Sequence, residues 1–479
     1  MRYRLGEQAV IGLAIAYLVV LSQAMTHLSY DIWGAFVVLP PLTLIGAFGV
    51  RQMFSGQLRS IAGVMYLALV LKFAGAAAKY FVSFGAYGGS TDAEAYHQYG
   101  LAAANKVWSG KQSIGDVLPS GTGTVFMQHL TSFIYTLTGT SKMGGYLIFA
   151  WMAFWGICLF VKGACIAIPG LQRRRYALWC ALGPSIVYWP SSIGKEAVVM
   201  LALGGSTYGF ARVLSRRGIV VPVIFAVAGL GLAAAVRPHM AALWIGGLFP
   251  ALIVALFRGR GQKGTRRSAG IFDRLLLLVI VGVAGAALVA VGSKTLKYLK
   301  PSGDNTKQST STDITAILTE TSRRTAQAGS AFQPPSISSP LAWPYASVRT
   351  LLRPLLYEAH GTGQLLSALE IAVFMGICAL SWRRLIHIPK LLFTNAFMAF
   401  AMTSLFFSGL AYTSFANLGL LARQKSLLLP LMFLIPCLPV RPARIRKAAL
   451  EERPNGSTAP GDRAPSGADV TSELVTNAN

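Results

Sequence analysis

The residues best suited to chemistry stand together in Thr91-Asp92-Ala93-Glu94-Ala95-Tyr96-His97-Gln98-Tyr99. Two carboxylates, a phenol and a histidine fall within a few positions. A glycosyl acceptor needs a base to take its hydroxyl proton, and a positioned carboxylate does this well. At helical spacing Asp92, Tyr96 and Tyr99 share one face, with Glu94 and His97 on an adjoining one. The same letters also suit an ordinary polar helix start, with Thr91 or Asp92 as N-cap.

A second set is basic. Lys195 stands in Trp189-Pro-Ser-Ser-Ile-Gly-Lys195-Glu196, Arg237 and His239 flank Pro238, and Arg353, Glu358 and His360 share Arg353-Pro-Leu-Leu-Tyr-Glu358-Ala-His360. Arg423 and Lys425 precede the last apolar run. Each group opens an apolar run at the end away from the basic loops. A cation there opposes both the helix dipole and the bias of Lys and Arg toward the cytoplasmic side. An anion bound between the groups would reverse that, because helix N-termini and Arg side chains together make a phosphate site. Arg237 and Arg353 rank first in such a site, since a guanidinium binds phosphate bidentately and Lys does not. The competing reading is local: snorkelling, or Lys195 paired with Glu196 and Arg353 with Glu358. Lys72 and Glu370 add charge inside apolar runs, where it is costly and usually paired, either as one structural ion pair or lining a cavity.

The elements that must carry these residues are membrane helices. The 479 residues are 54% hydrophobic and only 13% charged, too little charge to cover a soluble surface. Apolar runs of spanning length recur at 8–27, 33–50, 60–83, 145–168, 175–190, 195–213, 218–236, 239–257, 274–293, 363–381, 390–412 and 425–440, and in lipid these must be helices. The expected fold is all-α, a polytopic bundle of about twelve spans. The Met1-Arg2-Tyr3-Arg4 start imitates a signal peptide, but its run is long and reads as an uncleaved first helix. Arg2 and Arg4, Arg51 and Arg59, Arg173 to Arg175, Arg216 and Arg217, the stretch from Arg258 to Arg274, Arg383 and Arg384, and Arg441 to Lys447 all fall on one side. That side is expected to be the cytoplasm, with both termini there.

Two large loops then fall outside, 84–144 and 294–362. The first holds a semi-apolar stretch from Val125 to Leu137, too short to span and suited to a re-entrant or interfacial helix. The second is rich in Ser, Thr, Gln and Pro from Asp304 to Pro340 and turns aromatic and basic from Trp343 to His360. Residues 1–450 form the membrane domain and 451–479 a polar tail expected to be disordered in the cytoplasm. The net charge of +26 follows the loop bias, so nucleic acid is not an expected partner. Cys158, Cys165, Cys180, Cys378 and Cys437 all lie in apolar runs, which predicts neither a disulfide framework nor a metal cluster. Gly194-Lys195 lacks the earlier glycine of a phosphate-binding nucleotide loop, and no cofactor fingerprint is present.

On these residues a resemblance rests. The Asp-x-x-x-Tyr-His loop resembles the first large external loop of polytopic C-type glycosyltransferases and of exopolysaccharide or O-antigen polymerases. The segments around Lys195, Arg237 and Arg353 resemble those of membrane proteins of bacterial polysaccharide biosynthesis. In the C-type enzymes the acidic loop follows the first span, whereas here it follows the third. The resemblance implies a polyprenyl-phosphate or polyprenyl-pyrophosphate sugar donor, used at the outer face of a bacterial cytoplasmic membrane. It makes Asp92 the first candidate base and Glu94 the second. Lys195, Arg237, Arg353 and Arg423 would hold the leaving phosphate, with Tyr96, His97, His239, Glu358 and His360 as further substrate contacts. A divalent metal between Asp92 and Glu94 is compatible with this but not required. Other polysaccharide-assembly proteins and membrane lipids are the expected partners. The alternative is a transporter or flippase for a glycolipid or anionic solute, although Ser215-Arg216-Arg217 is far too short for the long central loop of the major facilitator architecture.

Overall fold

A computed structural model of the chain describes residues 2–86, 88–89, 91–215, 217–258, 331–335, 337, 339–359 and 361–439, with isolated positions between 282 and 326. It is all-helical, with no strand among the described residues. The helices are Arg2–His27 (α1), Tyr30–Met53 (α2), Arg59–Phe81 (α3), Asp92–Trp108 (α4), Thr124–Thr138 (α5), Lys142–Ala167 (α6), Arg173–Leu182 (α7), Pro184–Tyr188 (α8), Lys195–Leu214 (α9), Val220–Val236 (α10) and Pro238–Arg258 (α11). Trp343–Leu351 (α12), Thr362–Leu380 (α13), Trp382–Leu385 (α14), Ile388–Thr394 (α15), Ala396–Tyr412 (α16), Leu418–Lys425 (α17) and Leu429–Met432 (α18) follow. Six helical segments are long and apolar enough to cross a membrane, or eight if each bent pair counts as one span. All but four positions of the expected run 274–293, and the whole tail 451–479, lie outside the described residues.

Three expected spans are interrupted, two of them for a clear local reason. The run 175–190 divides at Gly183 into α7 and α8, with Pro184 at the first position of α8, where its missing N–H costs nothing. The run 390–412 breaks at Asn395, where the chain bends by 109°. The Asn395 side chain caps the new helix, accepting from Phe397 N at 3.0 Å and Met398 N at 3.1 Å. The final run bends by 64° between α17 and the helical turns after it. The stretch from Val125 to Leu137 is helical, as α5, and α4 packs along it.

α6 is the axis of the bundle, buried over 83% of its apolar window and packed on α2, α3 and α9. Gly156 on α6 faces Gly204 on α9, so closely that a Cβ on either would run into the facing backbone. Small residues of this kind let two helices approach in lipid, where dispersion replaces the hydrophobic effect. Twenty-six residues make α6 about 39 Å long, so its ends define two separate faces. At its C-terminal end Asn395 Nδ2 donates to Ala167 O at 2.9 Å, Gln172 N to Cys437 O at 3.0 Å, and Arg384 to Leu438 O at 2.8 Å. At its N-terminal end Ser141 caps the helix through Gly144 N at 3.0 Å, and there the acidic loop closes over the bundle.

Lys72 and Glu370 do not form an ion pair with each other. The Lys72 ammonium donates to Ile186 O at 2.8 Å and Ser191 Oγ at 3.1 Å, satisfying a carbonyl left free where α8 ends. Glu370 lies buried against Gly183, with Lys425 as the charge it faces.

Candidate functional site

Glu196 is the centre of the charged cluster. It stands in the first turn of α9 with only 1% of its surface exposed. Its Oε1 meets Arg423 Nε at 2.7 Å and its Oε2 accepts from Arg423 Nη2 at 2.8 Å, the two-pronged geometry that suits guanidinium and carboxylate. The Arg237 guanidinium also binds Glu196 and donates to Gln424 Oε1 at 2.6 Å. Arg237 occupies the single-residue break between α10 and α11, which turns its side chain into the bundle. From the other side Arg423 reaches Asp92 Oδ2 at 3.3 Å. One carboxylate thus ties α9 to α10 and α17, and Arg423 extends the tie to the start of α4. Lys195, expected as the partner of Glu196, instead donates to Thr124 Oγ1 at 3.1 Å.

Beside this cluster a cavity of about 250 Å³ opens, lined by Asp92, Arg423, Lys79, Thr91, Trp189 and Ser192 among others. Asp92 is its exposed acid, and Oδ1 makes no bond among the described residues. Lys79 extends from α3 over the Tyr188 ring at 4.2 Å and the Trp189 ring at 4.6 Å, which gives the cavity an aromatic wall carrying a cation. Thr91 Oγ1 is buried and lacks a hydrogen-bond partner among the described residues. Such a group is uncommon in a folded chain, and at a cavity wall it is available to a polar ligand. Among the described residues Lys79, Lys195, Arg237 and Arg423 gather around two carboxylates, Asp92 and Glu196. The site is therefore cationic and receptive to an anion.

Glu94 and His97 turn away into a second cluster. Lys142 binds Glu94 at 2.9 Å and Asp31 at 3.7 Å. Burial raises the Glu94 carboxyl, but bonds from Gln98 and Lys142 outweigh it and hold the group below its usual value. His97 shares a 2.7 Å hydrogen bond with the Tyr135 hydroxyl and lies 3.9 Å from Asp31. Its ring is pushed below the ordinary histidine value by burial and then by the Lys142 charge, with Asp31 and Glu94 opposing. Tyr135 is fully buried, so this chain fastens α4 to α2, α5 and α6 rather than facing a ligand. Asp92 and Glu94 thus have different partners and do not form a ligand pair for a metal. Among the described residues no group of three or more His, Cys, Asp or Glu stands close enough to hold one.

The remaining candidates divide. Tyr96 is buried beside Thr124, the residue to which Lys195 donates, and burial raises its phenol. Arg353 pairs with Glu358 at 2.8 Å, donates to Gln333 O at 3.1 Å and covers the Phe332 ring at 4.7 Å. This is the local pairing weighed above, and it occupies Arg353 away from the cavity. The segments still touch, since the Lys425 ammonium donates to the Arg353 carbonyl. His239 does not line the cavity, and both its ring nitrogens are buried without a partner among the described residues. His360 lies outside the described residues. Sequence reasoning missed Lys79, Gln424, Asp31 and Lys142. Lys79 left a signal: it is a second cation in the same apolar run, two helical turns after Lys72. Gln424 and Asp31 left none, because a lone polar residue beside a helix end is ordinary.

No protein-family model matches the chain, no curated protein matches it, and no solved structure matches it.

Proposed function

We propose that the chain is a membrane glycosyltransferase or polysaccharide polymerase that takes sugar from a polyprenyl-phosphate or polyprenyl-pyrophosphate donor at the outer face of the membrane. The observation that carries this reading is the cavity whose lining brings the Asp92 carboxylate together with the cations Arg423 and Lys79 beside an aromatic wall. A sugar–phosphate transfer needs that combination. The acceptor oxygen bonds to the anomeric carbon as Asp92 takes its hydroxyl proton. The bond from that carbon to the phosphate oxygen breaks, and the phosphate departs with the electron pair toward Arg423 and Lys79. Cations fixed where that charge develops supply electrostatic stabilisation, commonly the largest single contribution in such a site. Trp189 offers a flat apolar surface to a sugar ring or the first isoprene unit, and Thr91 and Tyr146 offer hydroxyls.

The geometry revises which cations hold the phosphate. Arg423 and Lys79 line the cavity whereas Arg237 and Arg353 do not, so in this reading Arg423 and Lys79 take that role and Arg237 fixes Glu196 beside them. The cavity also stands where helices end, at the α4 and α9 N-termini. A transport site is expected near the middle of the membrane, so this position favours transfer chemistry over transport. The reading includes the topology of about twelve spans with both termini inside, which puts the cavity outside. Mass spectrometry of lipid-linked oligosaccharides and surface glycan in a strain lacking the chain tests the proposal. The expected result is loss of a defined glycan with build-up of its lipid-linked precursor. An unchanged profile in both fractions would refute it.

A further inference from the structure

At the opposite face of the bundle, the turn joining α2 to α3 encloses a larger space of about 690 Å³, lined by Arg51, Arg59, Phe54, Ser55, Ala62 and Tyr66 among others. It is remote from the cavity above. Asp31 and Lys79, at the other ends of these two helices, belong to the clusters around α4, roughly 30 Å away at 1.5 Å per residue. Asp31 is also the only acid in the whole hairpin from Tyr30 to Phe81. Both guanidiniums at the turn are exposed, and neither makes an ion pair among the described residues.

The placement of the two arginines differs in a telling way. Arg51 sits in the last turn of α2, where the dipole favours a cation. Arg59 opens α3, where the dipole disfavours one. A phosphate between them would be met by two guanidinium forks at the short 3-10 turn Gly56–Leu58 that leads into α3, which removes the conflict. Arg59, Ala62 and Tyr66 follow at intervals of three and four, so they form one stripe down α3. Tyr66 therefore lies about 10 Å deeper than Arg59. Below and around it Leu44, Ile45, Phe48, Leu67 and Val70 are exposed apolar side chains. The order from the turn inward is two cations, a phenol, then hydrocarbon. A free phosphate uses only the first of these, whereas a phospholipid uses all three: its phosphate, its ester carbonyls and its acyl chains.

We infer that the α2–α3 turn is a binding site for the phosphate of an anionic phospholipid. The test uses the full chain purified in detergent, with thermal unfolding and native mass spectrometry as readouts. Phosphatidylglycerol, phosphatidylcholine and inorganic phosphate are the three probes. The expected result is retention of phosphatidylglycerol with a raised unfolding temperature, and a smaller effect from phosphatidylcholine. Arg51→Gln with Arg59→Gln should then lower phosphatidylglycerol affinity by roughly ten-fold or more, the loss expected for charge-assisted hydrogen bonds. Both side chains are exposed, so the variant keeps its fold, and Arg51→Lys with Arg59→Lys should keep part of the preference. Equal stabilisation by inorganic phosphate alone would overturn the lipid assignment. A phosphatidylglycerol effect that survives in the Gln variant would overturn the site.

Discussion

At the residue scale, the account rests on which charged groups are already engaged by the protein. Arg423 both grips Glu196 and borders the cavity, and its planar fork has no equivalent in an ammonium. Arg423→Lys is therefore expected to lower transfer about ten- to a hundred-fold, the equivalent of roughly 1.5–3 kcal/mol for a charge-assisted bond. Arg353→Lys should leave transfer nearly unchanged, because Arg353 serves Glu358 and Gln333; initial rates of glycan transfer by the two variants make the comparison. His97 yields a pH prediction. Burial and Lys142 hold its ring below the ordinary value, so the folded chain keeps it neutral while the unfolded chain protonates it below about pH 6.5. The unfolded state then binds more protons, and stability falls from that pH downward through the folded value. Unfolding temperatures measured from neutral to mildly acidic pH should drop for the natural chain and drop less for His97→Gln. An identical slope would remove His97 from the fastening of α4. The acid and the unusual cations were legible at this scale because charge near a span end is costly and stands out in an apolar text. Their pairing was not. Glu196 adjoins Lys195 in sequence but reaches Arg423 and Arg237 in space, since only the folded bundle decides which neighbour has the right direction.

At the element scale, the helices that bend are the ones that deliver chemistry. The break at Gly183-Pro184 and the turn after α8 swing Trp189 and Ser192 to the cavity. The short α17 presents Arg423 and Gln424 on the inward side of its last turn. Hydropathy alone reads each of these stretches as a continuous span, because Gly, Pro and Asn add little to a window average while deciding where the backbone can turn. Asn395 shows the cost of such a bend being met locally. Its carbonyl oxygen caps α16 and its amide nitrogen holds Ala167. Asn395→Ala is expected to destabilise the chain by about 1–2 kcal/mol, the scale of a lost N-cap, while leaving the cavity 250 Å³ region and its activity largely intact. Thermal unfolding and an activity assay on the same preparation separate the two effects, and a loss of activity without loss of stability would tie this bend to the site. The helix α5 was legible as too short to span; that it braces α4 through Tyr135 and His97 was not, because neither residue has a sequence neighbour that announces the contact.

At the scale of the whole molecule, two faces separated by the length of α6 carry different chemistry. Asp92, Glu196, Arg237 and Arg423 gather at one, and the end of α6, α14, the start of α16 and the last helical turns meet at the other. The proposed topology puts the second face in the cytoplasm and the first outside. A reporter fused after Gly110 should therefore signal outside and one fused after Gly261 inside; a cytoplasmic signal from the Gly110 fusion would place the cavity on the wrong side for the donor proposed. The all-helical class was legible from composition, since low charge and repeated apolar runs leave few other folds. Of the cations expected to converge, only Arg423 lines the cavity; the sequence placed them on a shared membrane face, and a face is a plane while a site is a point. The most direct test of the central claim is Asp92→Asn, made in the full chain and returned to a strain that lacks it. The substitution keeps the shape and removes the base. The account predicts normal insertion and accumulation, no mature glycan, and a lipid-linked precursor that builds up as it does without the chain. Full glycan synthesis by Asp92→Asn at normal abundance would contradict it.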